Sequence, residues 1–395
     1  MINIIKESKR EMERLGLVEI PFLTERLCTS VACHYANLAN LDETKFYNAG
    51  VPEDLRLQVT LMAASGWGKT VFYDLFLDKD IGFLNKTKIP TSVQSTFSRE
   101  SWMGTITSTN GGEVEKSEGL FEKYKRGIIG ADEFSILKTL MECDNEDRND
   151  LTYLLTALSK RKAVKNLAYG SIPIDGIGTT LWAGLRIVSI MMRSGLARRF
   201  SFHLFFPTPA LAKKFSEANV YHNQSPSEDF QQMYSEFLTD AYEKVKSVSH
   251  IDTSAIKDTY GFVDEEEFKV GSKRMTPHFE ESILRRISIG YALAEGQSSF
   301  PRIKLSEGLK ALCENERKNR FIIRHNPEAE SVYEVIKSCG EEGIDRGYMY
   351  SFMSYYYQLN KYRIKVLLQD LIYAGRVLLD DKTNKYFIKE KEEKK

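Results

Sequence analysis

Residues 55–77 read LRLQVTLMAASGWGKTVFYDLFL, and few folds accommodate that order of residue types. An apolar, β-rich run stops at a turn holding Gly66 and Gly68, and Lys69-Thr70 leads directly into a stretch with helical spacing. A strand that hands over to a helix through so short a turn belongs to a layered α/β unit, with the helix laid back on the sheet. The chemistry of the turn is equally narrow. The two glycines let backbone N–H groups curl around an anion, and the start of the following helix adds a positive dipole end. Lys69 supplies a cation for the β- and γ-phosphates of ATP, and the Thr70 hydroxyl suits Mg²⁺. Ala64, Ser65, Gly66, Trp67, Gly68, Lys69, Thr70 and Val71 are therefore the candidate nucleotide-binding set, although Ala63 stands where such loops usually begin with glycine. An ordinary glycine-rich strand–helix turn is the plain alternative.

A second segment complements the first. Gly127-Ile-Ile-Gly-Ala-Asp132-Glu133 is an apolar strand ending in two carboxylates. Asp132 can hold Mg²⁺, and Glu133 can polarise an attacking water. Alone, the pattern is weak, because strands often end in a solvated acidic pair.

Further runs, KIPTSVQST, GTTLWAGL and RRFSFHLFF, read as strands between helical stretches, which implies a parallel sheet covered on both faces. The chain divides into a helical segment at 1–50 with an amphipathic stretch, an α/β core at 51–209, a mainly helical block at 210–325, and a last unit at 326–395. That last unit shows three helical patterns, then RVLLDDKTNKYFIK as a hairpin, the order of a winged helix.

Lys+Arg and Asp+Glu both number 55, so any nucleic-acid contact has to come from local patches. Five cysteines without a CxxC pair argue against a zinc site or a disulfide framework and suit a reducing compartment. The first residues lack the apolar run of a signal peptide, and no segment has the roughly 20 apolar residues of a membrane span. A cytoplasmic protein with no membrane partner is the expectation.

Taken together, residues 55–300 resemble the AAA+ superfamily and, within it, the motor domain of the minichromosome maintenance (MCM) helicases. The stretch between the two ATP motifs, with Gly111-Gly112, Gly119-Leu-Phe and Asp132-Glu-Phe134, is similar to the family's. Residues 159–172 resemble its pre-sensor hairpin, which implies that Lys162 or Lys165 meets DNA in a central channel; an exposed charged hairpin is the alternative. The resemblance puts sensor 1 at Thr180 or Arg186, and sensor 2 at Arg274, Arg285 or Arg286, with His278 where the family has arginine. Arg193–Phe200 is similar to the arginine-finger segment, with Arg199 matching best and Arg198 next. Such a finger serves the neighbouring subunit's γ-phosphate, which implies a homo-oligomer, a hexameric ring. Residues 1–50 leave no space for the family's N-terminal region, as expected of a compact relative from a mobile element or virus.

In the last unit, Lys361, Arg363 and Lys365 are candidate DNA contacts, with Tyr355, Tyr356, Tyr357 and Tyr362 nearby. Winged helices also dock proteins, and Asp380 and Asp381 would repel phosphate. The implied activity is an ATPase that translocates on, unwinds or remodels DNA in replication, with replication proteins as further partners. The alternatives are an ATP-switched initiator or loader, and a transposition or defence ATPase that docks protein partners through the last unit.

Overall fold

The computed structural model describes residues 2–389 apart from 49–50, 65, 96–100, 103, 109–113, 133–153, 155, 159, 168–169, 188–198, 219–223, 257–268, 271–272 and 275–277. Apart from two short antiparallel pairs, Tyr47–Asn48 with Val51–Pro52 and Lys269–Val270 with Lys273–Arg274, the described strands of the first three hundred residues are, in chain order, β1 (Gln58–Met62), β2 (Thr91–Gln94), the hairpin β3 (Thr105–Ser108) and β4 (Val114–Ser117), β5 (Ile128–Ala131), the hairpin β6 (Lys162–Leu167) and β7 (Gly170–Asp175), β8 (Thr180–Leu185) and β9 (Phe200–Leu204). Five of them form one sheet in the order β9-β1-β8-β5-β2, all parallel. β1, β5, β8 and β9 are buried at every position, the signature of parallel strands covered on both faces.

Alternation along each strand sorts side chains between two cores. Val59, Leu61, Ile128 and Trp182 belong to one. Met62, Ile129, Leu181, Ala183 and Phe202 belong to the other. Helix α1 (Ile4–Arg14), α2 (Leu23–Asp42) and α3 (Lys69–Leu77) all pack in the first core. So do two helices that follow α4 (Pro209–Ala218), namely α5 (Glu228–Ser247) and α6 (His278–Glu295). Helix α7 (Glu307–His325) spans both cores.

The amphipathic pattern expected in the N-terminal segment gives way to burial almost all round: sixteen of the twenty residues of α2 are buried. A helix hydrated on no face sits inside the core, and α2 satisfies its polar groups there. Ser30 donates to the Leu57 carbonyl at 2.6 Å and accepts from Trp182 Nε1 at 2.8 Å. Arg26 pairs with Glu316 of α7, and also bonds Ser201 of β9. Glu316 in turn holds Arg320 Nε at 2.7 Å and receives the Phe202 amide at 3.1 Å. This buried Arg–Glu–Arg cluster ties α2, β9 and α7 into one body.

Beyond α7 come α8 (Pro327–Lys337), β10 (Ile344–Asp345), α9 (Arg346–Tyr357), α10 (Lys361–Tyr373), β11 (Val377–Asp380) and β12 (Lys385–Ile388). The strands form an antiparallel sheet in the order β10-β12-β11. The helices start where side chains cap them: Asn326 accepts from the Ala329 amide, Asp345 from Tyr348 and Asn360 from Arg363. Val332, Val335, Met349, Phe352, Leu367 and Leu371 fill this unit's own core. Among the described residues no helix is long and apolar enough to cross a membrane.

Candidate functional site

The turn after β1 lies at the C-terminal edge of the sheet. The Ala63 amide still donates to the Leu185 carbonyl at 3.2 Å, so the chain leaves the sheet only there. Gly66 and Gly68 then adopt φ of +78° and +75°, the left-handed region that side chains disfavour. A Cβ on either would meet nothing within 4 Å, so there is open space beside both glycines. Gly68 caps α3 without any side-chain bond, leaving the first amides of the helix facing the loop. Lys69 begins α3, is 7 % exposed, and turns its ammonium back to the carbonyls of Ala63 and Ala64, each at 3.3 Å. Thr70 and Val71 are exposed on the same first turn, while Phe72, Tyr73, Phe76 and Leu77 seat the helix in the core. Ser65 lies outside the described residues. A cation, helix amides and open space beside the glycines make a site that can hold an anion.

Asp132 follows β5 at the same edge. Its amide donates to the Gln94 carbonyl at 3.0 Å, and its own carbonyl lies against Gly184, where a Cβ would stand 2.0 Å from it. Ala131 is level with Ala183, and Met62 with Leu185. With β8 between them, the glycine loop and Asp132 are thus two strand spacings apart, roughly 10 Å. Asp132 also acts on α3: burial first, then the Asp132 charge, pushes the Tyr73 phenol well above its ordinary value. Asp74 is raised by burial, then by Asp78 and Asp132. Gly130 lets the helix come this close, since a Cβ there would lie 3.1 Å from Leu77 Cδ1. Glu133 lies outside the described residues, as do Arg198 and Gly111-Gly112.

Arg186 emerges from the middle strand, between the glycine loop and Asp132, is exposed, and donates from Nη1 to Gln358 Oε1 at 3.1 Å. Thr180, the other sensor 1 candidate, belongs to the wrong end of β8. It pairs with Ile128 at the start of β5, about 16 Å along the strand from Leu185. Its hydroxyl bonds His34 Nδ1 at 2.9 Å. The Arg126 carbonyl, 3.2 Å from His34 Nε2, can only accept, so Nε2 carries the proton and Nδ1 receives the Thr180 hydroxyl. Parallel strands offer their C-terminal ends to ligands, a rule that separates Arg186 from Thr180 in the sequence alone.

Two of the sensor 2 candidates, Arg285 and Arg286, are not brought to this edge either. Arg285 is bound to Glu53, at 2.7 and 3.2 Å, on the segment that enters β1 from the opposite edge. Arg286 acts on Asp54 in the same neighbourhood. Arg274 stands opposite Lys269 in a short antiparallel pair. Arg199, half-buried, immediately precedes β9, whose first residue pairs with the first residue of β1. It is therefore a strand length, roughly 15 Å, from the edge that carries its own chain's loop.

The expected hairpin forms. Lys162 is exposed at its base, 3.4 Å from Asp175, and Lys165 stands opposite Ile172. In the last unit, Lys361, Arg363 and Lys365 are all exposed, and Arg363 also pairs with Glu328 at 2.7 and 2.8 Å, a surface link between α10 and α8. Tyr355 and Tyr362 point outward, 79 % and 77 % exposed. Tyr356 and Tyr357 turn inward instead. Tyr356 packs on Trp67 of the glycine loop, centroids 5.2 Å apart, and Tyr357 donates to the Pro207 carbonyl at 2.7 Å. Gly184, Gly130 and Gln358 were not site candidates from sequence. Glycine inside a strand is a signal of close backbone approach that could have found the first two.

No known family model matches the chain, and no curated protein matches it.

Proposed function

We propose that the chain is a Mg²⁺-dependent ATPase of the AAA+ type, resembling the MCM helicase motor, and that it works on DNA as an oligomer. One observation carries the reading: a left-handed glycine loop with a buried lysine, and an acid-ended strand, share the C-terminal edge of one parallel sheet, with a single strand between them. The open space beside Gly66 and Gly68, the start of α3 without a side-chain cap and the inward ammonium of Lys69 fit a triphosphate.

Among the described residues no cluster of three or more His, Cys, Asp or Glu side chains could hold a metal. A Mg²⁺ in a phosphate site needs no such cage, because it keeps waters and takes one or two protein oxygens. Thr70 and Asp132 would hold it, and when bound it neutralises charge on the phosphates. Lys69 and the loop amides bind and orient the phosphates, Glu133 orients the attacking water, and Arg186 adds a cation at the same edge. Arg199, remote from its own loop, fits a finger offered to a neighbouring subunit.

The order helix, short strand, two helices and hairpin supports a winged helix in the last unit. Lys361 and Lys365 on α10, with Lys162 and Lys165 on the β6–β7 hairpin of the core, are the candidate DNA contacts. An ATP-switched initiator or loader is the second reading, favoured by the contact of the last unit with the loop. ATP turnover with and without single-stranded DNA, followed by a fork-unwinding assay, tests both. Stimulated turnover with unwinding supports the motor, and nucleotide binding without unwinding supports the switch. No nucleotide binding ends both readings.

A further inference from the structure

The corner between α9 and α10 sits at the mouth of the glycine loop, and three contacts hold it there. Trp67, flanked by Gly66 and Gly68, is only 6 % exposed because its indole is enclosed by Tyr356 from the corner, Phe205 beyond β9 and Phe215 of α4, at centroid distances of 5.2, 5.9 and 5.4 Å. Arg186 donates to Gln358. Tyr357 donates to Pro207. Between the corner and the loop remains a gap of about 240 Å³, bounded by Ala64, Arg186, Glu328, Tyr356 and Gln358.

We propose that this corner is a brake on the loop, and that a bound triphosphate releases it. The proposal rests on the nucleotide reading above. Trp67 shares its backbone with the two left-handed glycines, so whatever holds the indole also holds the loop amides that would bind phosphate. The Arg186 bond that belongs to this dock goes to a neutral amide oxygen. Anionic phosphate oxygens at the same edge are the stronger acceptors, by about a factor of two in bond strength. The gap is smaller than the roughly 300–1,000 Å³ of pockets that enclose a drug-sized ligand. A nucleotide reaching from the loop into it has to displace the corner. Gln358 itself has φ of +57°, a conformation that favours glycine or asparagine. The residue at that turn is a long amide, whose side chain reaches Arg186.

Competition of this kind has a thermodynamic signature. If the loop binds nucleotide only when the corner is away, the apparent dissociation constant is the intrinsic one divided by the undocked fraction. Weakening the dock tightens nucleotide, and strengthening it does the reverse. Gln358→Asn keeps a residue that tolerates the left-handed turn but shortens its reach to Arg186. Gln358→Glu replaces the neutral bond by an ion pair.

The test uses the full chain, Mg²⁺ and a fluorescent, non-hydrolysable ATP analogue, with hydrogen exchange read at residues 353–364. Expected are faster exchange there when the analogue binds, and affinity about two- to tenfold tighter in Gln358→Asn, the worth of one hydrogen bond. Gln358→Glu should bind more weakly by a similar factor, with slower exchange at the corner and an effect that shrinks at high salt. A variant that merely fails to fold cannot bind more tightly, so the gain in Gln358→Asn separates release from damage. Wild type that binds the analogue with unchanged exchange, and with equal affinity in both variants, overturns the brake and leaves the nucleotide reading standing. Wild type that binds no analogue overturns the nucleotide reading, and the brake with it.

Discussion

The indole of Trp67 lies 5.2 Å, centroid to centroid, from the ring of Tyr356, and so the glycine loop and the C-terminal unit share a contact although they are far apart in sequence. Under the ATPase reading, that contact makes the last unit part of the nucleotide site's surroundings and not a tethered appendage.

Lys69→Ala is the most direct trial of the site. It removes the cation that turns into the loop toward Ala63 and Ala64. Loss of one preorganised electrostatic group costs about 10²–10³ in turnover. ATP turnover should fall by at least that much, and the rise in melting temperature given by Mg-ATP should vanish. A variant that retains both would remove Lys69 from the site.

Gly184→Ala tests how Asp132 is placed. The new methyl would stand 2.0 Å from the Asp132 carbonyl, a backbone atom that cannot swing aside. Overpacking of this sort costs about 1–3 kcal/mol. The expected result is a lower denaturant midpoint together with loss of turnover, because the acid moves with its backbone. Normal turnover at reduced stability would mean that the position of Asp132 does not matter to the chemistry.

Much of this was legible in the sequence, for a physical reason. The strand, the glycine turn and α3 are consecutive in the chain, and so is the apolar run that ends at Asp132, so local pattern suffices. What the sequence does not show is long-range. Nothing around Arg285 announces Glu53, its partner across the fold, and nothing around Arg363 announces Glu328. Tyr356 and Tyr357 look like Tyr355, yet only tertiary packing decides which of the three turn inward. The strand Ile344–Asp345 is two residues long, too short to show alternation. The amphipathic pattern in α2 misled because its serine, asparagines and histidine bond inside the core, where a polar residue does not mark a solvated face.

Glu316 is the hub of the buried cluster that joins α2, β9 and α7. Its carboxylate lies between Arg26 and Arg320, all three almost wholly buried. Breaking such a pair leaves uncompensated charge, at a cost of about 3–5 kcal/mol. Glu316→Ala should therefore lose that much in chemical denaturation. A loss below about 1 kcal/mol would show that water reaches the cluster.

Stability should also fall in mild acid. Burial first, with the charges of Arg56 and Arg126, and against the bond to the Arg126 carbonyl, pushes His34 down to about 3. His203, also buried, is pushed well below its ordinary value by burial and by Arg26. A histidine kept neutral in the fold but free to protonate when unfolded contributes fully above about pH 6.5, and the contribution drains away as the pH falls toward the folded value. At pH 5 the loss from His34 is about 2 kcal/mol. Denaturation between pH 7.5 and 5 should show this slope, and His34→Gln should flatten it. An unchanged slope in that variant would assign it to other groups.

The exposed face of α10 makes the final prediction. Lys361, Lys365, Gln369 and Tyr373 recur every fourth residue and are all exposed, Tyr373 to 97 %. Residues four apart line one side of a helix. If this face tracks a nucleic-acid backbone, each lysine releases about one counterion, so Lys361→Ala and Lys365→Ala should each lower the slope of log affinity against log salt by about one. Arg363→Ala should behave differently, because its guanidinium pairs with Glu328. It should loosen α10 from α8 and lower the stability of the unit while leaving the salt slope alone. Should the two lysine variants keep the wild-type slope, the face is not a phosphate contact. The outward Tyr355, Tyr362 and Tyr373 would then favour a protein partner, since aromatic residues on a rigid helix are the usual anchors of such interfaces.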